Sequence, residues 1–201
     1  MWGIVDLAGL VRRATEPPRA DGRRTRLVAV DGFGGAGKST FAAAFAAAAD
    51  AAVVHLDDLV HGWEGGVDVP RVLDHVLGPV LVDRAARYQR YDWERRMLAE
   101  WITVPAGGMV IVEGVSTLRH EFGDPWDLRV WVESPRSLCL RRGLERDGDA
   151  ARGLWEAWMA EEDAYIAADD PRSRADVVID GSAPSHAGTV RLLEDRGSFR
   201  R

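Results

Sequence analysis

The sequence predicts a three-layer α/β domain, with a mainly parallel five-stranded sheet, helices on both faces and a small helical lid. Three observations predict it. Five short apolar runs, at residues 27–30, 52–56, 109–112, 128–132 and 176–179, have the character of strands buried on both faces. Stretches of helical spacing at 38–50, 69–82, 136–146 and 151–168 alternate with them. A glycine-rich loop joins the first run directly to the first of these helices.

The elements follow in order. Ile4, Val5, Leu7, Ala8, Leu10 and Val11 space residues 1–14 as a helix, and Pro17, Pro18 and Gly22 make 15–24 a linker. Residues 1–24 are thus an N-terminal helix and linker ahead of a domain at 25–201, whose lid spans about 136–170. The helix at 38–50 is rich in alanine, and that at 69–82 carries Pro70 in its first turn, where no hydrogen bond is lost. Residues 87–104 allow two readings. Tyr88, Tyr91, Trp93, Trp101, Ile102 and Val104 favour a β-hairpin turning near 95–97, and a helix over 93–101 is the alternative.

Composition narrows the function. The chain of 201 residues has a net charge of −6 and a pI near 5.4, which argues against a polyanion-binding surface, so no nucleic-acid partner is expected. No run is long and apolar enough to span a membrane, and Asp6 interrupts an N-terminus that has no basic leader. One cysteine, Cys139, excludes an internal disulfide framework and suits a reducing, cytoplasmic setting. Homo-oligomerisation is left open. His55, His75, His120 and His186 have no metal-ligand spacing, and His55 and His75 are expected to pack as neutral histidines.

Gly32-Phe-Gly-Gly-Ala-Gly-Lys-Ser39 carries the clearest chemistry. A triphosphate is bound well by converging backbone N–H groups, and Gly32, Gly34, Gly35 and Gly37, with Ala36 between, let the chain wrap that closely. The following helix adds the positive end of its dipole. Lys38 is expected to reach the β and γ phosphates of ATP, the Ser39 hydroxyl to ligate Mg²⁺, and Thr40 to close the loop. Lys38 is also the only lysine, and every other basic residue is an arginine, so a compact ammonium is kept where a forked guanidinium will not do. The loop predicts a P-loop nucleotide-binding fold.

Absences then sort the chemistry. With no second lysine, the Asn/Thr-Lys-x-Asp element by which guanine-specific GTPases read their base is missing. The 109–112 strand ends in Glu113-Gly114 and not in the Asp-Glu pair usual in motor and transporter ATPases. The 52–56 strand delivers Asp57 and Asp58 to the carboxyl edge of the sheet, where ligands of such folds bind. A kinase of hydroxyl acceptors needs a carboxylate there to orient the hydroxyl and take its proton. Asp57 is preferred for that role, with capping or Mg²⁺ ligation as the other reading of the pair.

Asp31-Gly-Phe-Gly-Gly-Ala-Gly-Lys-Ser, His55-Leu-Asp-Asp, Arg90-Tyr-Asp-Trp and Val110-Ile-Val-Glu-Gly, in that order, resemble the uridine kinase family, which neighbours phosphoribulokinase and pantothenate kinase. The resemblance runs from about Leu27 to Gly181. It implies an ATP- and Mg²⁺-dependent kinase in which Asp57 is the base, Asp92 holds ribose hydroxyls and the lid arginines Arg141, Arg142 and Arg146 lie over the phosphates. The residues themselves allow Asp92 between Tyr91 and Trp93 to take vicinal hydroxyls beside stacking surfaces, and Glu113 to hold a Mg²⁺-bound water or the substrate. Asp58 and His61 face the same acceptor pocket, whereas Trp155 and Trp158 are expected in the core. The chain departs from the family in having Val60 where a tyrosine commonly follows the base aspartate.

The expected function is transfer of the γ-phosphoryl group of ATP to a small-molecule acceptor, a uridine- or cytidine-like nucleoside or a related metabolite. A nucleoside monophosphate kinase, served by Arg71, Arg84, Arg87 and Arg90, and a non-catalytic ATP switch are the alternatives. The Gly181–Ser185 loop is the expected wall for adenine.

Overall fold

The computed structural model describes residues 3–16, 18–60, 62–63, 66–183 and 188–197. Its main sheet has seven strands: β1 (Gly3–Asp6), β2 (Arg26–Gly32), β3 (Ala52–His55), β6 (Met109–Glu113), β7 (Leu128–Glu133), β8 (Val177–Asp180) and β9 (Thr189–Asp195). Across the sheet they run β1-β9-β8-β7-β2-β6-β3. The five expected strands are the parallel set, and β2 lies between β6 and β7. The antiparallel strands β9 and β1 extend it at one edge.

Two expectations are corrected here. Residues 3–6 are not helical: they pair with β9, and the helix α1 (Leu7–Thr15) begins only where Asp6 accepts the N–H of Gly9 at 2.5 Å. Ile4 and Val5 fit a helical stripe as well as an edge strand, and long-range pairing decided between them. For the same reason β9, with only Val190 and Leu192 buried, was not recognised in the sequence.

The continuous apolar runs are strands because helices cover both faces. On one face α1, α2 (Lys38–Ala49) and α5 (Arg136–Asp147) contribute Leu7, Leu10, Phe41, Phe45 and Cys139 to a core with Val28, Val30, Ile111 and Val130. On the other, Leu56, Leu59, Val76, Leu77, Trp126 and Trp131 pack with Leu27, Ala29, Val110 and Val112. The stretch expected as one helix at 69–82 comes in three joined pieces: α3 (Val69–Val72), a π-helical turn (Leu73–Leu77) and α4 (Gly78–Leu81). Pro79 has no N–H to donate four residues back, and the Gly78 N–H reaches Leu73 instead.

The ambiguous segment is a hairpin. β4 (Ala86–Asp92) and β5 (Met97–Val104) pair antiparallel, with Arg96 at φ 53° closing the turn. After α5 comes the long helix α6 (Arg152–Asp169), then α7 (Pro171–Arg174). No helix among the described residues is long and apolar enough to cross a membrane.

Candidate active site

The carboxyl ends of β2, β3 and β6 open into a cleft of about 1180 Å³. The phosphate loop forms its floor, Asp57, Asp58 and Glu113 one wall, and α5 and α6 its cover. This is the edge where open α/β sheets bind ligands, because strand ends and helix N-termini converge there.

The loop at 32–37 is held in one shape by its surroundings. Gly35 has φ +76°, and a Cβ there would lie 2.5 Å from the carbonyl oxygen of Cys139. At Gly32, φ is +147° and the Cβ would fall 2.4 Å from the Val132 carbonyl oxygen. Neither position can carry a side chain without moving the backbone. Ala36 is fully buried, and its carbonyl accepts from the Ser134 hydroxyl at 3.0 Å. Lys38 Nζ is nearly buried and donates to the Phe33 carbonyl at 2.9 Å, which curls the side chain over the loop. Gly34, Gly37, Ser39 and Thr40 also line the cleft. Arg142 bridges the carbonyls of Gly35 and Gly181, both at 3.1 Å, so the lid helix α5 is pinned to the loop.

Beside the loop the Ser39 hydroxyl donates to Glu113 Oε1 at 2.9 Å, and the same oxygen lies 2.5 Å from His55 Nδ1. His55 is therefore not the ordinary packed histidine expected from the sequence. Its partnership with Glu113 raises the imidazole above its usual value against the effect of burial. Burial alone would push Glu113 up, but His55, Lys38 and Ser39 outweigh it and hold the carboxyl low.

Asp57 and Asp58 lie in a short 3₁₀ turn at Leu56–Leu59 that ends β3. Asp57 is open to the cleft but surrounded by protein, and this poor solvation raises its carboxyl above the usual range. Lys38 works against the rise, Glu113 adds to it, and Arg146 and His55 oppose it. Asp58 is raised too, again by burial, although Tyr88 donates to it at 3.2 Å.

Several expected site residues are not brought into this cleft. The Asp92 carboxylate accepts the N–H groups of Glu94 and Arg95 at 3.1 and 2.9 Å, which caps the hairpin turn. Tyr91 is buried against Trp93, with ring centroids 5.6 Å apart, and only Trp93 of that pair lines the cleft. Arg141 is exposed on the outer face of α5, near Glu145. Arg146 does line the cleft, paired with Asp147 at 2.8 Å. His61 lies outside the described residues, as do residues 184 and 185 of the expected adenine wall; Gly181, Ser182 and Ala183 line the cleft.

Two tryptophans expected in the core, Trp155 and Trp158, reach the cleft, and a glutamate that the sequence does not single out, Glu162, lies behind them. All three share one face of α6 through their i, i+3 and i+7 spacing, which was the available signal. Glu162 is 2% exposed; its Oε1 accepts from Gly34 N–H at 2.6 Å and Trp158 Nε1 at 3.1 Å, and its Oε2 pairs with Arg136. A buried carboxylate with three partners of this kind reads, in sequence, like any surface glutamate of a helix.

Among solved structures, the chain is similar to a possible uridine kinase from Bacillus stearothermophilus, with a TM-score of 0.63 and 22% identity over 86% of this chain and 96% of that one. The likeness shows the fold, a mainly parallel sheet flanked by helices. A candidate fructose transport system kinase from Silicibacter sp. TM1040 is likewise similar, with a TM-score of 0.61 and 24% identity over 82% and 95% of the two chains. No family model matches the sequence. In this fold the loop after the central strand and the carboxylates ending the neighbouring strands occupy one cleft.

Proposed function

We propose that the protein is an ATP-dependent small-molecule kinase. The observation that carries this reading is the facing of Asp57 and the phosphate loop across one cleft, with Lys38 near enough to act on the Asp57 carboxyl. The site suits a triphosphate: loop amides without side chains, one compact ammonium, and Arg142 at the lid. It also suits Mg²⁺, which typically takes one or two protein oxygens and completes its shell with phosphates and water. Ser39 would hold the ion with Glu113 behind it, and the ion neutralises phosphate charge when bound.

In this reading the acceptor hydroxyl oxygen forms a bond to the γ-phosphorus, the bond to the β–γ bridging oxygen breaks, and ADP leaves. The hydroxyl proton passes to Asp57, whose raised carboxyl makes it a better base than an ordinary aspartate. The acceptor is a hydroxyl compound, a uridine- or cytidine-like nucleoside or a related metabolite. The motif order and the names of the two neighbours support this choice. A phosphorylated acceptor is less well served: Arg71 donates to the Gln89 carbonyl, Arg87 stacks 4.6 Å over Trp101 and Arg90 holds Glu100.

The test is ADP release from Mg-ATP in the presence of nucleosides, nucleotides, pantothenate and sugars. Acceptor-dependent release that Asp57→Asn abolishes, with ATP binding kept, is the expected result. Slow hydrolysis indifferent to every acceptor would instead make the protein a nucleotide switch.

A further inference from the structure

We infer that the acceptor is a cation, a hydroxyl compound bearing a protonated or quaternary amine, held between indole rings and carboxylates. The inference rests on the kinase reading above and, within it, favours a related hydroxyl metabolite over a uridine- or cytidine-like nucleoside. The cleft is electrically divided. Its phosphate half has Lys38, Arg142 and Arg191 against Glu113 and Asp180, the latter 3.4 Å from Arg191, while the half beyond Asp57 has Asp57, Asp58, Glu94 and Asp147 against one arginine, Arg146, which pairs with Asp147.

The walls of that second half are tryptophans. Trp63 is the hub, with ring centroids 5.8 Å from Trp93, 5.9 Å from Trp155 and 6.1 Å from Trp158, each in an edge-to-face arrangement. Three of the four indole N–H groups are committed to protein acceptors: Trp93 to the Asp57 carbonyl, Trp155 to Asp147 and Trp158 to Glu162. Trp155 is 3% exposed and already carries Arg146 over its ring at 5.6 Å, so the open π surface comes from Trp63, Trp93 and Trp158. Indole is the strongest aromatic partner for a cation, and neighbouring carboxylates add to that attraction.

The polar inventory points the same way. Reading a pyrimidine edge calls for side-chain amides, which donate and accept at once. The chain contains no asparagine and a single glutamine, Gln89, whose amide donates to the Ala99 carbonyl in the hairpin. Among the described residues, the cleft hydroxyls, Ser39, Thr40 and Ser182, belong to the phosphate half. A neutral base would set its carbonyl oxygens against carboxylates, and an anionic acceptor would be repelled outright. An ammonium with hydroxyls supplies the donors that this half lacks.

The experiment titrates the full chain with matched pairs that differ chiefly in charge: glucosamine against glucose, and choline against 3,3-dimethylbutan-1-ol, with uridine and uridine monophosphate alongside. Binding is read by tryptophan fluorescence and turnover by ADP release from Mg-ATP. The cation of each pair is expected to bind about tenfold more tightly than its neutral partner. Glu94→Gln is expected to shrink that ratio several-fold without unfolding the exposed turn. Equal or tighter binding of the neutral partners or uridine, or no response to any amine, would overturn the inference. The two readings fail separately. ADP release with uridine and no amine preference would sink the cation and leave the kinase, whereas amine-selective binding without acceptor-dependent ADP release would do the reverse.

Discussion

Glu162 Oε1 accepts the backbone N–H of Gly34 at 2.6 Å, so a carboxylate from α6 holds an amide of the phosphate loop. The other oxygen of that carboxylate is paired with Arg136, at the start of α5. One buried side chain thus ties loop and lid together. Removing it by Glu162→Ala leaves Trp158 Nε1 and the Gly34 amide without their acceptor and Arg136 with only Asp163 and the Met159 carbonyl, at a cost of about 2–4 kcal/mol. At about 2–4 °C per kcal/mol for a chain of this size, the midpoint of thermal unfolding is expected to fall by about 4–16 °C. An unchanged midpoint would show that the contact is not structural.

The carboxyl of Asp57 is raised by its poor solvation. A general base must be unprotonated, so activity is lost as pH falls through that raised value. The acidic limb of kcat/KM is therefore expected above pH 4, the ordinary range of about 3.9 for aspartate. Asp57→Asn should lower turnover by about 10²–10⁴-fold at all pH values and leave ATP affinity within a few-fold. A steep loss of ATP binding would assign Asp57 to the nucleotide instead.

His55 and Glu113 form a pair with a defined pH window. The imidazole is raised, so its stabilising effect is complete below the unfolded value near 6.5 and is lost as pH rises through the folded value. The carboxyl is lowered, so its effect is present above the unfolded value near 4.5 and is lost as pH falls through the folded one. The melting temperature of the protein should therefore decline from pH 6 to pH 9 more than that of His55→Gln. Parallel curves for the two proteins would count against the pair.

Gly35→Ala places a methyl group 2.5 Å from the Cys139 carbonyl at a positive φ. Strain of about 1–3 kcal/mol is expected, together with a loss of ATP affinity because the loop must move. Calorimetric titration and thermal unfolding of the same variant check both halves.

Asp92→Ala offers a contrast. The carboxylate caps the hairpin turn, so the expected loss is about 1 kcal/mol of stability with KM for the acceptor little changed. A large rise in KM at unchanged stability would return Asp92 to the substrate.

Much of this was legible in the sequence because it is local. Gly32 to Ser39 and the five apolar runs write their geometry in adjacent residues, and the parallel pairing, though not the strand order, followed from the alternation of strand and helix. What escaped is non-local. The pairing of β1 with β9, the Glu113 oxygen shared by Ser39 and His55, and the grip of Glu162 on Gly34 each join residues far apart in the chain. Asp92 reads differently in the structure for the opposite reason. Its aromatic neighbours suggested a ligand, yet the nearest donors were the amides of its own turn.

Lys38, curled over the phosphate loop, has one more consequence. It is the only ε-amine of the protein, so amine-directed acylation has a single side chain to find, and that nitrogen is shielded by its own loop. An ATP-shaped acyl phosphate would deliver its label to one lysine without competition from any other. Intact-mass measurement would then read nucleotide occupancy directly, as a modification of one side chain that free ATP protects.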